Sequence, residues 1–226
     1  MQTKILRSFV PASVQPVKLQ ERSDGQLPLI TGYGAVFYHE GVEGSQYWLW
    51  NNIVERIAPG AFDRAIGEDD IRGLKNHDPN LLLGRSKSKT MRLFIDDIGF
   101  GYEITPPNTQ AGRDTIEEIK RGDLTGSSFS FLIPEGGDDW SEQKTAEGAR
   151  IHIRTLKELQ VFDVGPVTFP AYSATTTGVR QLRCIGDHRE AEAQEAIKRF
   201  APKVEIVSPT QVMIRCREIE LAQNMG

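Results

Sequence analysis

A strand-rich α+β body followed by a helical extension is the architecture this chain predicts, on three observations. Short runs of alternating apolar and polar residues recur between residues 4 and 169, and a period of two marks half-buried strands. The 21 glycines and 12 prolines of the chain supply the turns that many short strands need. After about Arg183 the sequence becomes charged and alanine-rich, with a partial apolar face at helical spacing.

The elements follow in order. A first strand is expected within residues 4–10. Residues 29–37 mix β-branched and aromatic side chains with glycines, as a strand closely approached by its neighbours does. Residues 39–52 read as a loop or hairpin whose Tyr47, Trp48 and Trp50 either line a groove or cover the core. Residues 54–57 alternate as a strand, and Pro59-Gly60-Ala61-Phe62 then turns the chain into a short helix over 62–66. Strand segments at 74–77 and 81–83 flank Asn76-His77-Asp78. Residues 90–95 and 99–104 form a hairpin around Asp96-Asp97-Ile98-Gly99.

A helix over 113–121 turns Ile116 and Ile119 to the core and stops at Gly122. The strand 124–133 carries three serines. Residues 134–148 are polar and read as a loop, with the acidic stretch 135–142 as solvated surface. Residues 151–164 and 167–169 are the last strands of the body. A helix is expected over 187–200, ended by Pro202, with a short strand-like run and a helical piece after it. The body is placed at residues 1–182 and the extension at 183–226.

Composition narrows the function. With 38% hydrophobic and 26% charged residues, the chain belongs with soluble globular proteins. A formal net charge of −4 gives no electrostatic reason to expect nucleic acid as a partner. Cys184 and Cys216 make no disulfide framework, which points to a reducing, cytosol-like compartment. His39, His77, His152 and His188 lack metal-ligand spacing, so no metal is expected. Residues 1–7 have no apolar run of signal-peptide length, and no stretch is long enough to cross a bilayer.

Three motifs carry chemistry. Asn76-His77-Asp78 is followed by Leu83-Gly84-Arg85; Gly126-Ser127-Ser128-Phe129-Ser130-Phe131 follows Arg121-Gly122-Asp123; Asp163-Val164-Gly165-Pro166 opens a block that runs to Tyr172. They contain a hydroxyl nucleophile, an imidazole base and a carboxylate, the parts of serine-type acyl transfer. Singly, each residue has an ordinary structural reading. A turn histidine is usually a satisfied polar residue, a serine fits a crowded sheet, and Asp163 can cap a turn. Residues 108–113 form a Gly-containing loop opening a helix, without a phosphate-binding pattern. No Gly-x-Ser-x-Gly elbow surrounds Ser128, against an α/β-hydrolase.

Together the motifs resemble the prohead (procapsid maturation) protease family of tailed phages, distant fold relatives of the herpesvirus assemblins. Gly32-Tyr33-Gly34-Ala35-Val36-Phe37 matches its Gly-Tyr-x-x-x-Phe opening, and residues 55–62 match Glu-x-Ile-x-Pro-Gly-Ala-Phe. The Asn-His-Asp and Leu-Gly-Arg pair, the Arg-Gly-Asp-x-x-Gly-x-Ser-Phe-x-Phe strand and the final Val-Thr-x-Pro-Ala-Tyr block follow in family order, covering about residues 32–180. Two positions depart from it: Ser127 stands where methionine is common and Ser130 where glycine is common.

The resemblance implies a small, mostly antiparallel β-barrel with peripheral helices, and a C-terminal extension that tethers the enzyme or is removed by self-cleavage. It implies a serine endopeptidase with Ser128 as nucleophile, His77 as general base and Asp163 as the orienting carboxylate. Ser130 is the fallback nucleophile, two residues along on the same strand face. Asp78 and Asp123 compete for the third role, since the family position is commonly glutamate and assemblins place a second histidine there. Backbone N–H groups or Arg85 are the open choices for the oxyanion site. The implied substrates are scaffold protein or a scaffolding segment of the major capsid protein, and the enzyme itself, in the procapsid interior within the host cytoplasm. No cofactor, nucleic acid or membrane is implied, and a homo-oligomer is compatible. The rival reading is an inactive assembly protein built on the protease fold.

Overall fold

The computed structural model describes residues 5–7 and 17–169, apart from residues 24, 43, 51, 146 and 147. The helix expected at 187–200, the 182/183 boundary and Pro170-Ala171-Tyr172 of the last motif lie outside these residues. In chain order the elements are β1 (Ile5–Arg7), β2 (Val17–Gln20), β3 (Leu29–Val36), β4 (Gln46–Trp50), β5 (Ile53–Ile57), α1 (Asp63–Glu68), β6 (Arg72–Leu74) and β7 (Leu82–Arg85). Then come β8 (Met91–Ile95), β9 (Gly99–Ile104), α2 (Gln110–Arg121), β10 (Gly126–Leu132), β11 (Asp138–Lys144), β12 (Arg150–Leu156) and β13 (Gln160–Val167).

The described strands pair into three sheets, ordered β1-β10-β13-β6-β7, β11-β12-β5-β4 and β2-β3-β9-β8. The described residues are mostly β with two helices, and no ring of strands closes among them. Most ladders are antiparallel, as expected, but β5·β12 and β6·β13 run parallel. The parallel pairs join segments about ninety to a hundred residues apart, so no local sequence signal announces them.

Two expectations about the strands are corrected. Residues 134–148 are not a loop throughout, because β11 pairs along its whole length with β12. Its side chains are mostly exposed, so there was no apolar alternation to read. Residues 151–164 are likewise two strands in different sheets. The break falls at Lys157-Glu158-Leu159, where the Lys157 and Glu158 N–H groups both donate to the Gly137 carbonyl and Leu159 N–H donates to Ala61.

Other boundaries moved by a turn or less. Helix α2 starts earlier than residue 113 because Thr109 caps it, its side chain accepting the Gly112 N–H at 3.3 Å. Gly122 ends it with φ 80°, as read from the sequence. Gly112, in the loop weighed for phosphate, instead lets the helix pack against the Pro107 carbonyl, which a Cβ would strike.

The core explains why β10 lies where it does. Phe129 and Phe131 are both fully buried, stacked with ring centroids 4.9 Å apart. Phe62 stacks on Phe100 at 4.4 Å and meets Phe129 edge-on at 5.5 Å. Each buried ring contributes about 2–3 kcal/mol by transfer from water. The Ser-Phe-Ser-Phe alternation thus commits one face of β10 to the core and presents Ser128 and Ser130 on the other.

Candidate active site

Three elements meet over the serine face of β10. In the β10·β13 ladder Ser128 lies opposite Gly165 and Ser130 opposite Asp163, so paired side chains share that face. The register shifts just past Ser130: Phe131 pairs with Val161, leaving Phe162 as an extra residue on β13. This bulge allows Asp163 to face the serines while Val161 and Val164 both stay in the core.

The histidine arrives from the β6–β7 connection. Strand β6 runs parallel beside β13, with Val164 opposite Gly73, and Gly165 lets the Leu74 backbone approach within a distance that any Cβ would block. The chain then reverses at Lys75-Asn76-His77-Asp78, where Asp78 N–H donates to the Lys75 carbonyl at 3.0 Å. Asn76 and His77 both have positive φ, 54° and 57°. Positive φ at both central residues is the signature of a type I′ turn, in which Asn-Gly is the favoured pair. His77 occupies the glycine position, at a cost of about 1 kcal/mol or more.

The cost is offset by anchors. Asn76 N–H donates to the Pro166 carbonyl at 3.0 Å, its side-chain Oδ1 accepts the Thr168 N–H at 2.8 Å, and its Nδ2 donates to Thr168 Oγ1 at 3.2 Å. Lys75 Nζ pairs with Glu118 Oε1 of α2 at 2.6 Å. The turn is held to the end of β13 on one side and to a helix on the other.

These anchors set the imidazole between an alcohol and a carboxylate. His77 Nε2 lies 2.8 Å from Ser128 Oγ, and His77 Nδ1 is hydrogen-bonded to Asp163 Oδ1. An ionised carboxylate only accepts, so Nδ1 carries the proton, Nε2 accepts, and the Ser128 hydroxyl donates to it. Ser128 is 2% exposed and Asp163 1%, while 16% of the His77 side chain reaches solvent. Low solvent exposure strengthens the interactions among all three.

The alternatives are placed elsewhere. Ser130 Oγ donates to Asp163 Oδ2, not to the imidazole. Ser127 Oγ points to the opposite face, donating to Tyr102 Oη at 3.2 Å. Burial pushes the Tyr102 phenol well above its usual range, partly offset by Ser127. Asp78 Oδ1 accepts the Asn80 N–H at 2.8 Å, and Asp123 pairs with Arg121 at 2.9 Å on the surface. Arg85 is engaged by Asp70 through Nε at 2.8 Å and Nη2 at 2.5 Å. No cluster of metal-binding residues occurs among the described residues. Trp48 stands about half-exposed on β4, the edge strand of a different sheet from β10.

Sequence reasoning gave Asn76 and Gly165 no role. An asparagine beside a turn histidine was the available signal for Asn76; for Gly165 the crowding comes from a strand ninety residues away and leaves no local trace.

A family model described as caudovirus prohead serine protease matches residues 15–187. The chain belongs to this family. Both the histidine turn and the serine strand lie inside the matched stretch. Among solved structures, the bacteriophage T4 capsid assembly protease gp21 is similar at 14% identity and a TM-score of 0.39, covering 74% of this chain and 98% of that one. No curated protein sequence matches the chain. No described helix is long and apolar enough to cross a membrane.

Proposed function

We propose that this member of the prohead serine protease family is an active endopeptidase using Ser128, His77 and Asp163. One observation supports it above all: a single imidazole contacts Ser128 Oγ through one nitrogen and Asp163 through the other. Ser128 Oγ attacks the scissile carbonyl carbon as its proton passes to His77 Nε2. Asp163 keeps the second ring proton on Nδ1 and stabilises the imidazolium that forms. His77 then returns the proton to the leaving amine, and a water deprotonated by the same nitrogen releases the acyl group.

The substrates proposed are scaffold protein or a scaffolding segment of the major capsid protein, and the protease itself, inside the procapsid in the host cytoplasm. The C-terminal residues 183–226 are proposed as the part that tethers the enzyme or is trimmed. The rival, an inactive assembly protein on the same fold, predicts no processing at all.

Co-expression with the cognate capsid and scaffold proteins separates the two. Wild type shortens a partner, while Ser128→Ala and His77→Ala leave every partner full length. Intact partners with the wild-type chain, or processing that survives Ser128→Ala, would end the proposal.

A further inference from the structure

We propose that Ser130 is a positioning residue of the same reaction, fixing Asp163 in the rotamer that serves His77; this rests on Ser128 being the nucleophile. Asp163 divides its two oxygens, Oδ1 to His77 Nδ1 and Oδ2 to the Ser130 hydroxyl. Ser130 is completely buried and Asp163 almost so. The carboxylate has no proton to give, so the Ser130 hydroxyl is the donor and its orientation is fixed. Hydrogen bonds to an ionised acceptor in a buried setting are about twice as strong as neutral ones.

The backbone shows why this serine does more than fill space. Ser128 and Ser130 are two residues apart on one strand face, one bonded to the imidazole and the other to the carboxylate behind it. A single strand therefore holds both ends of the set, and the unbroken pairing from Gly126 to Ser130 sets Asp163 opposite Ser130, the register shifting only beyond it. Without the Ser130 hydroxyl, Oδ2 loses this donor and the carboxyl is held less firmly against Nδ1.

The test uses the full chain and an alkyl fluorophosphonate, which esterifies an activated serine with loss of fluoride and needs no known substrate. Labelling rate and site are followed by mass spectrometry, the His77 Nδ1–H proton by its downfield NMR resonance, and folding by circular dichroism. Ser130→Ala is expected to lower the maximal labelling rate about tenfold with half-saturating probe concentration unchanged. Its Nδ1–H resonance should broaden or move upfield.

Label in wild type must map to Ser128 and vanish in Ser128→Ala. A folded Ser130→Ala protein with wild-type rate and resonance overturns the role of Ser130 and leaves Ser128 standing as the nucleophile. Wild type that takes no label, or takes it on Ser130, overturns both. Should Ser130→Ala unfold, Ser130→Cys keeps the side-chain shape with a somewhat larger atom and only a weak S–H donor. It is expected to label more slowly than wild type, and an undiminished rate would again overturn the proposal.

Discussion

Asn76 grips Thr168 by both ends of its amide, accepting the Thr168 N–H at 2.8 Å and donating to Thr168 Oγ1 at 3.2 Å. The residue that holds the end of β13 immediately precedes His77. Asparagine suits the position twice: it tolerates the φ of 54° and its amide has one acceptor and two donor hydrogens to offer.

Asn76→Ala should therefore lose the clamp and strain the turn together. We expect a stability loss of about 1–2 kcal/mol, read from the urea midpoint, and a larger proportional loss of processing rate. Asn76→Gly relieves the backbone and lacks the clamp. Its stability should recover part of the way while processing stays low. Equal recovery of both would show that the turn needs only its conformation.

Gly165 and Leu74 give a purely steric prediction. A Cβ at residue 165 would drive into the Leu74 carbonyl oxygen, and neither strand can yield easily because β13 lies between β10 and β6. Gly165→Ala should cost about 3 kcal/mol or more, seen as a lowered melting temperature or loss of soluble protein. Gly67 of α1, where an added Cβ would meet nothing within 4 Å, supplies the control, since Gly67→Ala should be tolerated.

The two faces of β10 were legible because Ser-Phe-Ser-Phe alternates with period two, which fixes sidedness before any partner is known. The β8–β9 hairpin and the Gly122 helix stop were legible for the same reason: their signals are local. Sheet membership was not. Strand β12 pairs with β5 and β13 with β6 across long stretches of chain, and β11 hides in a polar sequence because it gains its place from backbone pairing. The approach of His77 to Ser128 came into view through ordered motifs, not through spacing. The contact of Ser130 with Asp163 depends on the pairing of β10 with a strand distant in sequence, which no local signal sets.

Asp163→Asn probes the tautomer argument. With Ser130 donating to the amide oxygen, the amide nitrogen would face His77 Nδ1. That ring nitrogen must then accept, which moves the ring proton to Nε2, where it blocks transfer from Ser128. The fold should survive, since the side chains are nearly isosteric. Processing should fall roughly 10,000-fold, the scale of the corresponding change in a serine protease triad. A time course of capsid or scaffold cleavage measures it; near-normal rates would mean that Asp163 does not set the tautomer.

Tyr33 and Asp96 give a stability test remote from Ser128, through a hydrogen bond of 2.5 Å from the phenol to Asp96 Oδ2. Burial, then the hydrogen bond and charge of Asp96, push the Tyr33 phenol up to about 12. Burial opposes ionisation of Asp96, but the Tyr33 hydroxyl and the Ile98 and Gly99 N–H groups outweigh it and lower that carboxyl. Between about pH 10, the ordinary tyrosine value, and pH 12 the unfolded chain loses a proton that the folded protein keeps. The Tyr33 contribution is thus complete below that window and disappears as pH rises through it. Asp96 acts in the opposite sense, contributing above the ordinary carboxylate range and losing its contribution as pH falls through the lowered folded value. Solvent screens this largely exposed pair, so the amplitude should be a few tenths to about 1 kcal/mol. Urea midpoints of wild type and Tyr33→Phe should differ at neutral pH and converge at both extremes; a constant difference across pH would show that the pair is electrostatically idle.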